Sequence, residues 1–160
     1  MPELELLRPD HAPALLAFEL ENRAYFAAAV PDRGDDYFAA FDRHLGETLA
    51  LQAAGTDLYH VLVEPDGSIA GRVNLFEVAD GSADLGYRIA ERRTGRGLAT
   101  AAVRQVIALA AGQYGLTELR AAARVENVGS RVVLERTGFV PVGEVVLSDL
   151  PGISYRLALT

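Results

Sequence analysis

The organisation of this chain follows from one segment, Leu85-Gly86-Tyr87-Arg88-Ile89-Ala90-Glu91-Arg92-Arg93-Thr94-Gly95-Arg96-Gly97-Leu98-Ala99-Thr100. Its first five residues predict the end of a β-strand, and the apolar residues after Gly97 predict a helix that begins at a glycine-bearing turn. Backbone N–H groups at a helix start have no partners inside the helix and lie at the positive end of its dipole, where anions are favoured. Arg92, Arg93 and Arg96 add positive charge. The turn is therefore predicted to bind phosphate.

A structural role for the same glycines is the alternative. Gly95 would then supply a positive φ, and Gly97 a close approach of helix and sheet. The turn is not a Walker loop, because no Gly-Lys-Ser/Thr follows it. It also lacks the third glycine of a Rossmann fingerprint, and the strands before it form a meander. Taken alone, the turn leaves both roles open.

Length and composition predict one ordinary globular domain, residues 1–160, that is large enough to bury a core. The net charge of −7 argues against general nucleic-acid binding. The absence of cysteine excludes disulfides, thiolate metal sites and a cysteine nucleophile. The three histidines lack metal-ligand spacing, so no metal is expected. No apolar run approaches the ~20 residues of a membrane span, and the N-terminus is not signal-like, so we expect a cytoplasmic protein with no membrane partner.

Hydrophobic periodicity predicts an α+β fold with a mixed sheet. The predicted strands are 3–8, 58–64, 68–78, 83–89, 119–123, 139–147 and 154–159, and the predicted helices are 11–29, 36–54, 97–114 and one from Asn127 or Gly129 to Thr137. The order is therefore β-α-α-β-β-β-α-β-α-β-β. Strand 119–123 follows a right-handed crossover and is expected to run parallel to strand 83–89.

A second cluster lies some 30 residues after the turn, where Glu126-Asn127-Val128-Gly129-Ser130 opens a helix that ends in Gly138-Phe139. Asparagine is a good N-cap, and serine at the fourth place fits the first helical turn. On its own this cluster is equally explained as a capped helix.

Together, and in this order, the two clusters resemble the GCN5-related N-acetyltransferase (GNAT) superfamily, and within it the RimJ/RimL type of ribosomal-protein N-terminal acetyltransferase. The resemblance covers most of the chain and is strongest from Gly71 to Val142. The family's pyrophosphate motif, Gln/Arg-x-x-Gly-x-Gly/Ala, fits here as Thr94-Gly95-Arg96-Gly97-Leu98-Ala99, with Thr94 in place of the usual Gln or Arg. The alternative register, Arg92 to Gly97, would start the helix two residues too early. The implied fold is a mostly antiparallel seven-stranded sheet flanked by about four helices.

The resemblance implies acetyl-CoA as the donor. Its pyrophosphate would lie on the turn, and its pantetheine arm in a splay between the third strand of the meander and the next strand. The implied cofactor-binding residues are Tyr87, Arg88, Ile89, Arg93, Thr94, Gly95, Arg96, Gly97, Leu98, Ala99, Thr100, Asn127 and Ser130.

The resemblance also suggests catalytic residues. Many relatives place a tyrosine acid seven residues after the asparagine, but this chain has Leu134 there. Ser130 becomes the candidate acid, with helix capping as its alternative. Asp84 or Glu77 would take the amine proton through water, unless both are simply solvated strand carboxylates. The oxyanion donor would be a backbone N–H near Tyr87.

The implied acceptor segment contains Glu21, Asn22, Tyr25 and Phe26, and the acceptor would lie between the first two helices and the final hairpin. The alternative is that Phe26 belongs to the core and that Glu21 lies on a solvated helix face. The acidic net charge suits a cationic acceptor, a protein N-terminus or a small amine. A polyamine, amino acid or antibiotic remains open as acceptor, as do a non-catalytic acyl-CoA-binding module and a homodimer.

Overall fold

A seven-stranded mixed sheet runs through the chain, and the computed structural model describes all of residues 1–160. Its strands are β1 (Glu3–Leu6), β2 (Leu58–Val63), β3 (Ile69–Ala79), β4 (Ser82–Ile89), β5 (Glu118–Arg124), β6 (Val140–Leu147) and β7 (Leu150–Ala158). They lie in the order β1-β2-β3-β4-β5-β7-β6. Only β4 and β5 are parallel, which confirms the predicted crossover.

Six helices flank the sheet, two more than predicted. They are α1 (Ala12–Glu21), α2 (Arg23–Ala27), α3 (Asp35–Ala39), α4 (Phe41–Ala53), α5 (Leu98–Ala111) and α6 (Val128–Arg136), with 3₁₀ turns at Pro9–His11 and Glu91–Arg93. Each of the two long helices predicted before β2 is divided in two. The predicted order of strands and helical regions is otherwise correct.

The first division lies at Asn22, whose backbone is not helical (φ −104°, ψ 8°). Its side-chain amide donates to the Phe18 carbonyl, and its side-chain oxygen accepts from the backbone N–H of Glu91. Asparagine side chains compete in this way with helical backbone bonds. The periodicity of apolar residues continues past Asn22, which is why the pattern predicted one helix. The second division lies at Ala40 (φ −115°).

Two hydrophobic clusters hold the helices to opposite faces of the sheet. On one face, α5 packs Ala102, Val103 and Val106 against Val73 and Leu75 of β3, all fully buried. On the other face, α1, α2 and α4 pack against β2 and β3. Truncating a buried leucine such as Leu75 to alanine costs ~2–5 kcal/mol, so these contacts fix the two layers around the sheet.

The sheet opens between β4 and β5. These strands pair only where Ser82–Asp84 meets Glu118–Arg120, and β5 continues along β7 instead. Beyond Asp84 the two strands diverge, and the starts of α5 and α6 lie at the open end. The splay between these strands is the predicted one, and it positions the site.

Candidate active site

A cavity of about 650 Å³ occupies the open end of the splay. The end of β4 forms one wall, the glycine turn and the first turn of α5 another, and α2 and α6 close it. Most of the residues implied for the cofactor line it; Arg96 does not. Three segments far apart in sequence, namely α2 with the loop after it, the stretch from β4 to α5, and α6, therefore meet at one cavity.

The glycine turn presents free backbone donors to this cavity. No N–H from Gly95 to Thr100 has a hydrogen-bond partner within the chain. Gly95 and Gly97 have φ of 75° and 79°, which favour glycine. An added Cβ at either glycine would meet nothing within 4 Å, so Gly97 does not serve a close helix–sheet approach. The donors, lying at a helix start, fit a pyrophosphate.

The arginines around the turn are not equivalent. Arg92 binds Glu64 at 3.0 Å, while Arg93 lies 3.4 Å from the same carboxylate and lines the cavity. Arg96 is exposed and forms no ion pair. Thr94 closes the 3₁₀ turn by donating its hydroxyl to the Glu91 carbonyl. Arg93 is therefore the arginine of the turn placed to meet an anion there.

One face of α6 completes the cavity and was missed by the sequence reasoning. Gly129, Val132, Val133 and Arg136 line it. These positions are spaced i, i+3, i+4 and i+7, the spacing of one helical face. That periodicity, counted from the Asn127 cap, was the signal that could have identified them.

Asn127 and Ser130 meet at the start of α6. The Asn127 side-chain oxygen accepts from the Ser130 backbone N–H at 3.2 Å, so Asn127 is the N-cap and its amide nitrogen stays available. The Ser130 hydroxyl takes no part in the cap. It accepts a hydrogen bond from the Tyr87 hydroxyl at 3.3 Å. The cap and a second role for the Ser130 hydroxyl are therefore compatible.

The Tyr87 hydroxyl is a second group that the sequence reasoning missed, because only the Tyr87 backbone was expected to act. Burial raises the pKa of this phenol, and the hydrogen bond to Ser130 offsets only part of that effect. The phenol therefore keeps its proton at neutral pH and can donate it. Nothing in the sequence places residues 87 and 130 in contact.

A second cavity, of about 320 Å³, opens from the same point. The two cavities share Tyr87, Asn127 and Ser130, and both touch Ala29 and Val30. The second cavity reaches the loop after α2 and the turn between β6 and β7. Its walls are mostly small and apolar. Leu134, which is buried, lies where many relatives have a tyrosine, and the phenol that lines this cavity is that of Tyr87.

The structure does not bring Asp84 or Glu77 to either cavity. Asp84 lies at the closed end of the splay, three residues and ~10 Å of strand before Tyr87, and pairs with Arg120 at 2.8 Å. Glu77 is exposed in a bulge with φ 52°. Strand alternation could not show how far each carboxylate lies from the open end of the splay. This placement disfavours both as direct proton acceptors.

The acceptor candidates divide into two pairs. Tyr25 and Phe26 line the first cavity, and Phe26 also packs on Phe18 in the core. Glu21 is exposed and lines neither cavity. Asn22 is buried, and its side chain forms hydrogen bonds to Phe18 of α1 and to the backbone of Glu91. The structure therefore gives Asn22 a structural role in place of the expected acceptor contact.

Two further properties of the structure concern metal binding and membrane insertion. No group of three or more histidine, cysteine, aspartate or glutamate side chains is arranged to hold a metal ion. None of the helices has both the length and the apolar character to cross a membrane.

Comparisons with known proteins agree with the resemblance to the GNAT superfamily. Residues 3–140 match the family model described as Acetyltransferase (GNAT) domain. YdaF of Bacillus subtilis (strain 168), a candidate ribosomal N-acetyltransferase, is 37% identical over 152 residues, covering 88% of this chain and 79% of that protein. The ribosomal-protein-S5-alanine acetyltransferase of Vibrio fischeri superposes with a TM-score of 0.90 at 22% identity, covering 97% and 91% of the two chains. RimJ of Mycobacterium smegmatis, solved with CoA-disulfide, gives 0.86 at 25% identity, covering 97% and 80%.

Proposed function

This chain belongs to the GNAT acetyltransferase family, whose members use acetyl-CoA, and on that premise we propose that it acetylates the α-amine of a protein N-terminus. The observation that carries the proposal is the junction of two cavities at Tyr87, Asn127 and Ser130. One cavity has free N–H donors for a pyrophosphate, and the other reaches the surface between helices and the final hairpin. Donor and acceptor would enter from these two sides.

The residues of the first cavity fit the donor. The N–H groups of Gly95 to Thr100 would hold the pyrophosphate, with Arg93 and Arg136 supplying charge. The backbone of β4 from Tyr87 to Ile89 and the free amide nitrogen of Asn127 would hold the pantetheine arm. When bound, acetyl-CoA supplies a thioester whose carbonyl carbon accepts an amine and whose thiolate then needs a proton.

Ser130 and Tyr87 form a proton relay at the junction. The Tyr87 hydroxyl donates to the Ser130 oxygen, so the Ser130 hydrogen is free to point at the departing sulfur. When Ser130 gives up its proton, the Tyr87 phenol can replace it. The attacking amine loses its proton to water in the second cavity, since no carboxylate lines that cavity.

A chain terminus suits the second cavity better than a polyamine. Its walls carry no Asp or Glu to pair with additional ammonium groups, and its small apolar lining leaves room for one narrow segment. The name of YdaF, which refers to ribosomal N-acetylation, points in the same direction. The acidic net charge is therefore a poor guide to the acceptor, because no Asp or Glu side chain lines either cavity.

The test is to identify the product. The protein, acetyl-CoA and a short peptide with a free N-terminus are incubated, and the peptide mass is followed. We expect a single added acetyl group on the α-amine. The matched controls are the same peptide with a blocked N-terminus and spermidine. Acetylation of spermidine alone would contradict the proposal and identify a small-amine enzyme.

A further inference from the structure

The cleft has a charge opposite to that of the molecule. The chain carries a net charge of −7, yet the walls of the two cavities contain Arg88, Arg93, Arg124 and Arg136 and no carboxylate. Arg93 and Arg136 lie on the part of the first cavity assigned to the donor. Arg88 lines the first cavity beside Phe26 of α2, and Arg124 lines the second cavity, where it contacts the loop after α2.

Arg88 is the surplus cation of a buried cluster. Glu19 is 1% exposed and accepts from Arg33 at 3.0 and 3.1 Å and from Arg72 at 2.8 Å. Arg88 reaches the same carboxylate only at 3.4 Å. Three guanidinium groups therefore share one carboxylate whose two oxygens are already well bonded. The cluster has an excess of about two positive charges, and a buried excess of charge favours an added anion.

The pKa shifts of Glu19 and Arg88 agree with this excess of positive charge. Burial acts to raise the pKa of Glu19, but the charges of Arg72 and Arg33 outweigh it and lower that pKa. Burial, followed by repulsion from Arg33, lowers the pKa of Arg88. Glu19 is therefore ionised, and its single negative charge, which also acts on Arg88, is shared among three guanidinium groups.

The Arg88 guanidinium packs against an aromatic ring. It lies 5.0 Å from the centre of the Phe26 ring, over its face, and lines the first cavity next to the junction residue Tyr87. Arg124 lines the second cavity, and one N–H of its guanidinium donates a hydrogen bond to the Ala29 carbonyl at 2.7 Å. It forms no ion pair. The junction thus lies near two guanidinium groups, of which Arg88 only shares the Glu19 carboxylate and Arg124 has no carboxylate partner.

We propose that Arg88, assisted by Arg124, binds a carboxylate of the acceptor, so that the enzyme prefers amines that carry a carboxylate close to the reacting nitrogen. The inference rests on the proposed acetyl transfer and specifies its acceptor. The carboxylate could belong to an acidic side chain near a peptide N-terminus or to a free α-amino acid. Planar guanidinium donors match carboxylates in two parallel hydrogen bonds. A polyamine would meet only repulsion here.

The experiment compares two peptides that differ in one group, Ser-Glu-Ala-Ala and Ser-Gln-Ala-Ala, each amidated at the C-terminus. Free serine and free glutamate are the other two acceptors. Thiol release from acetyl-CoA gives kcat/KM for each, using the full chain and the variants Arg88→Gln, Arg88→Lys and Arg43→Gln. Arg43 is exposed, pairs with Asp36 and lines neither cavity, so its variant is the matched control.

We expect the glutamate peptide to exceed the glutamine peptide by about 10- to 100-fold in kcat/KM, the range of one charge-assisted hydrogen-bonded pair. Arg88→Gln should reduce that ratio to about one, and Arg88→Lys should restore part of it. Arg43→Gln should leave it unchanged. A preference for free amino acids would assign the carboxylate to an amino acid, and a preference for the peptide would assign it to a side chain.

Equal rates for the two peptides, or an undiminished preference in Arg88→Gln, would overturn the inference while the proposed function stands. A rise in the KM of acetyl-CoA alone in Arg88→Gln would also overturn it, because Arg88 would then serve the donor. Measuring peptide binding to the CoA-loaded protein distinguishes failure of this inference from failure of the proposed function. Arg88-dependent binding of the glutamate peptide without turnover would retain the anion site and reject the proposed function, and absence of both would reject both.

Discussion

At the scale of single residues, the site depends on groups whose partners are defined by position in the fold. Ser130 has its N–H capped by Asn127 and its hydroxyl bonded by Tyr87. Neither contact uses the hydrogen of the Ser130 hydroxyl. A small side chain at a helix start thereby becomes a proton donor at the junction of two cavities.

Ser130→Ala should lower kcat by about 10²- to 10⁴-fold, the range for a general acid, and leave CoA affinity unchanged. Tyr87→Phe should give a smaller loss, because Ser130 keeps its own proton. Since burial raises the pKa of Tyr87, the alkaline loss of activity that belongs to Tyr87 should lie above the ordinary pKa of a tyrosine. Steady-state rates against pH and calorimetric titration with CoA measure these effects. Asp84→Asn is the matched control, and an equal loss in that variant would restore Asp84 as the base.

Gly97→Val should abolish CoA binding. The left-handed backbone of Gly97 (φ 79°) excludes a β-branched residue, so the turn would change shape and misdirect its N–H groups. Gly46→Val is the matched control, because Gly46 lies in α4 with open space around it and does not have a positive φ. Calorimetric titration with CoA checks both variants. Wild-type affinity in Gly97→Val would rule out the turn as the pyrophosphate site.

At the scale of elements, Asn22, where the first helical region is divided, connects α1 to the segment that leads into the glycine turn. Asn22 ends α1 and holds the backbone N–H of Glu91, at the start of the 3₁₀ turn that leads into the glycine turn. The two residues are 69 positions apart. A local pattern of apolar residues cannot reveal such a contact, which is why Asn22 was predicted to be helical; its placement in the acceptor segment came from the family resemblance.

Asn22→Ala should destabilise the fold by ~1–3 kcal/mol, because it removes the side-chain hydrogen bond to the Phe18 carbonyl and leaves the backbone N–H of Glu91 without its partner. The free energy of unfolding in urea is the measurement. Glu21→Ala, at the exposed neighbour, is the control and should change it by less than about 0.5 kcal/mol. Unchanged stability in Asn22→Ala together with a raised acceptor KM would show that Asn22 contacts the acceptor instead.

At the scale of the whole molecule, local patterns were sufficient for most of the fold. Strand alternation, the Pro65-Asp66-Gly67 turn and the periodicity of α5 each involve residues near in sequence, so the element order and the parallel crossover were predictable. The second cavity and the cluster around Glu19 were not. Glu19 meets Arg72 and Arg88 across 53 and 69 positions, and those pairs depend on how helices and sheet pack.

The Glu19 cluster should also govern acid stability. The folded pKa of Glu19 lies below its ordinary value of 4.5, so its contribution is complete above that value and is lost as pH falls through the folded pKa. Glu19→Gln should cost ~3–5 kcal/mol near neutral pH, because it leaves the Arg72 charge buried without a counter-ion. Its stability should then fall less steeply on acidification. Urea unfolding at a series of pH values tests this, and parallel curves for the two proteins would contradict it.

The most direct test of the two-cavity site is amide hydrogen exchange by NMR with and without CoA. The N–H groups from Gly95 to Thr100 have no partner in the chain, so they should exchange rapidly in the free protein. With CoA, we expect protection of these amides and of Tyr87 to Ile89 in β4, with little change at the β6–β7 hairpin. Thermal stabilisation by CoA without protection between Gly95 and Thr100 would contradict the site.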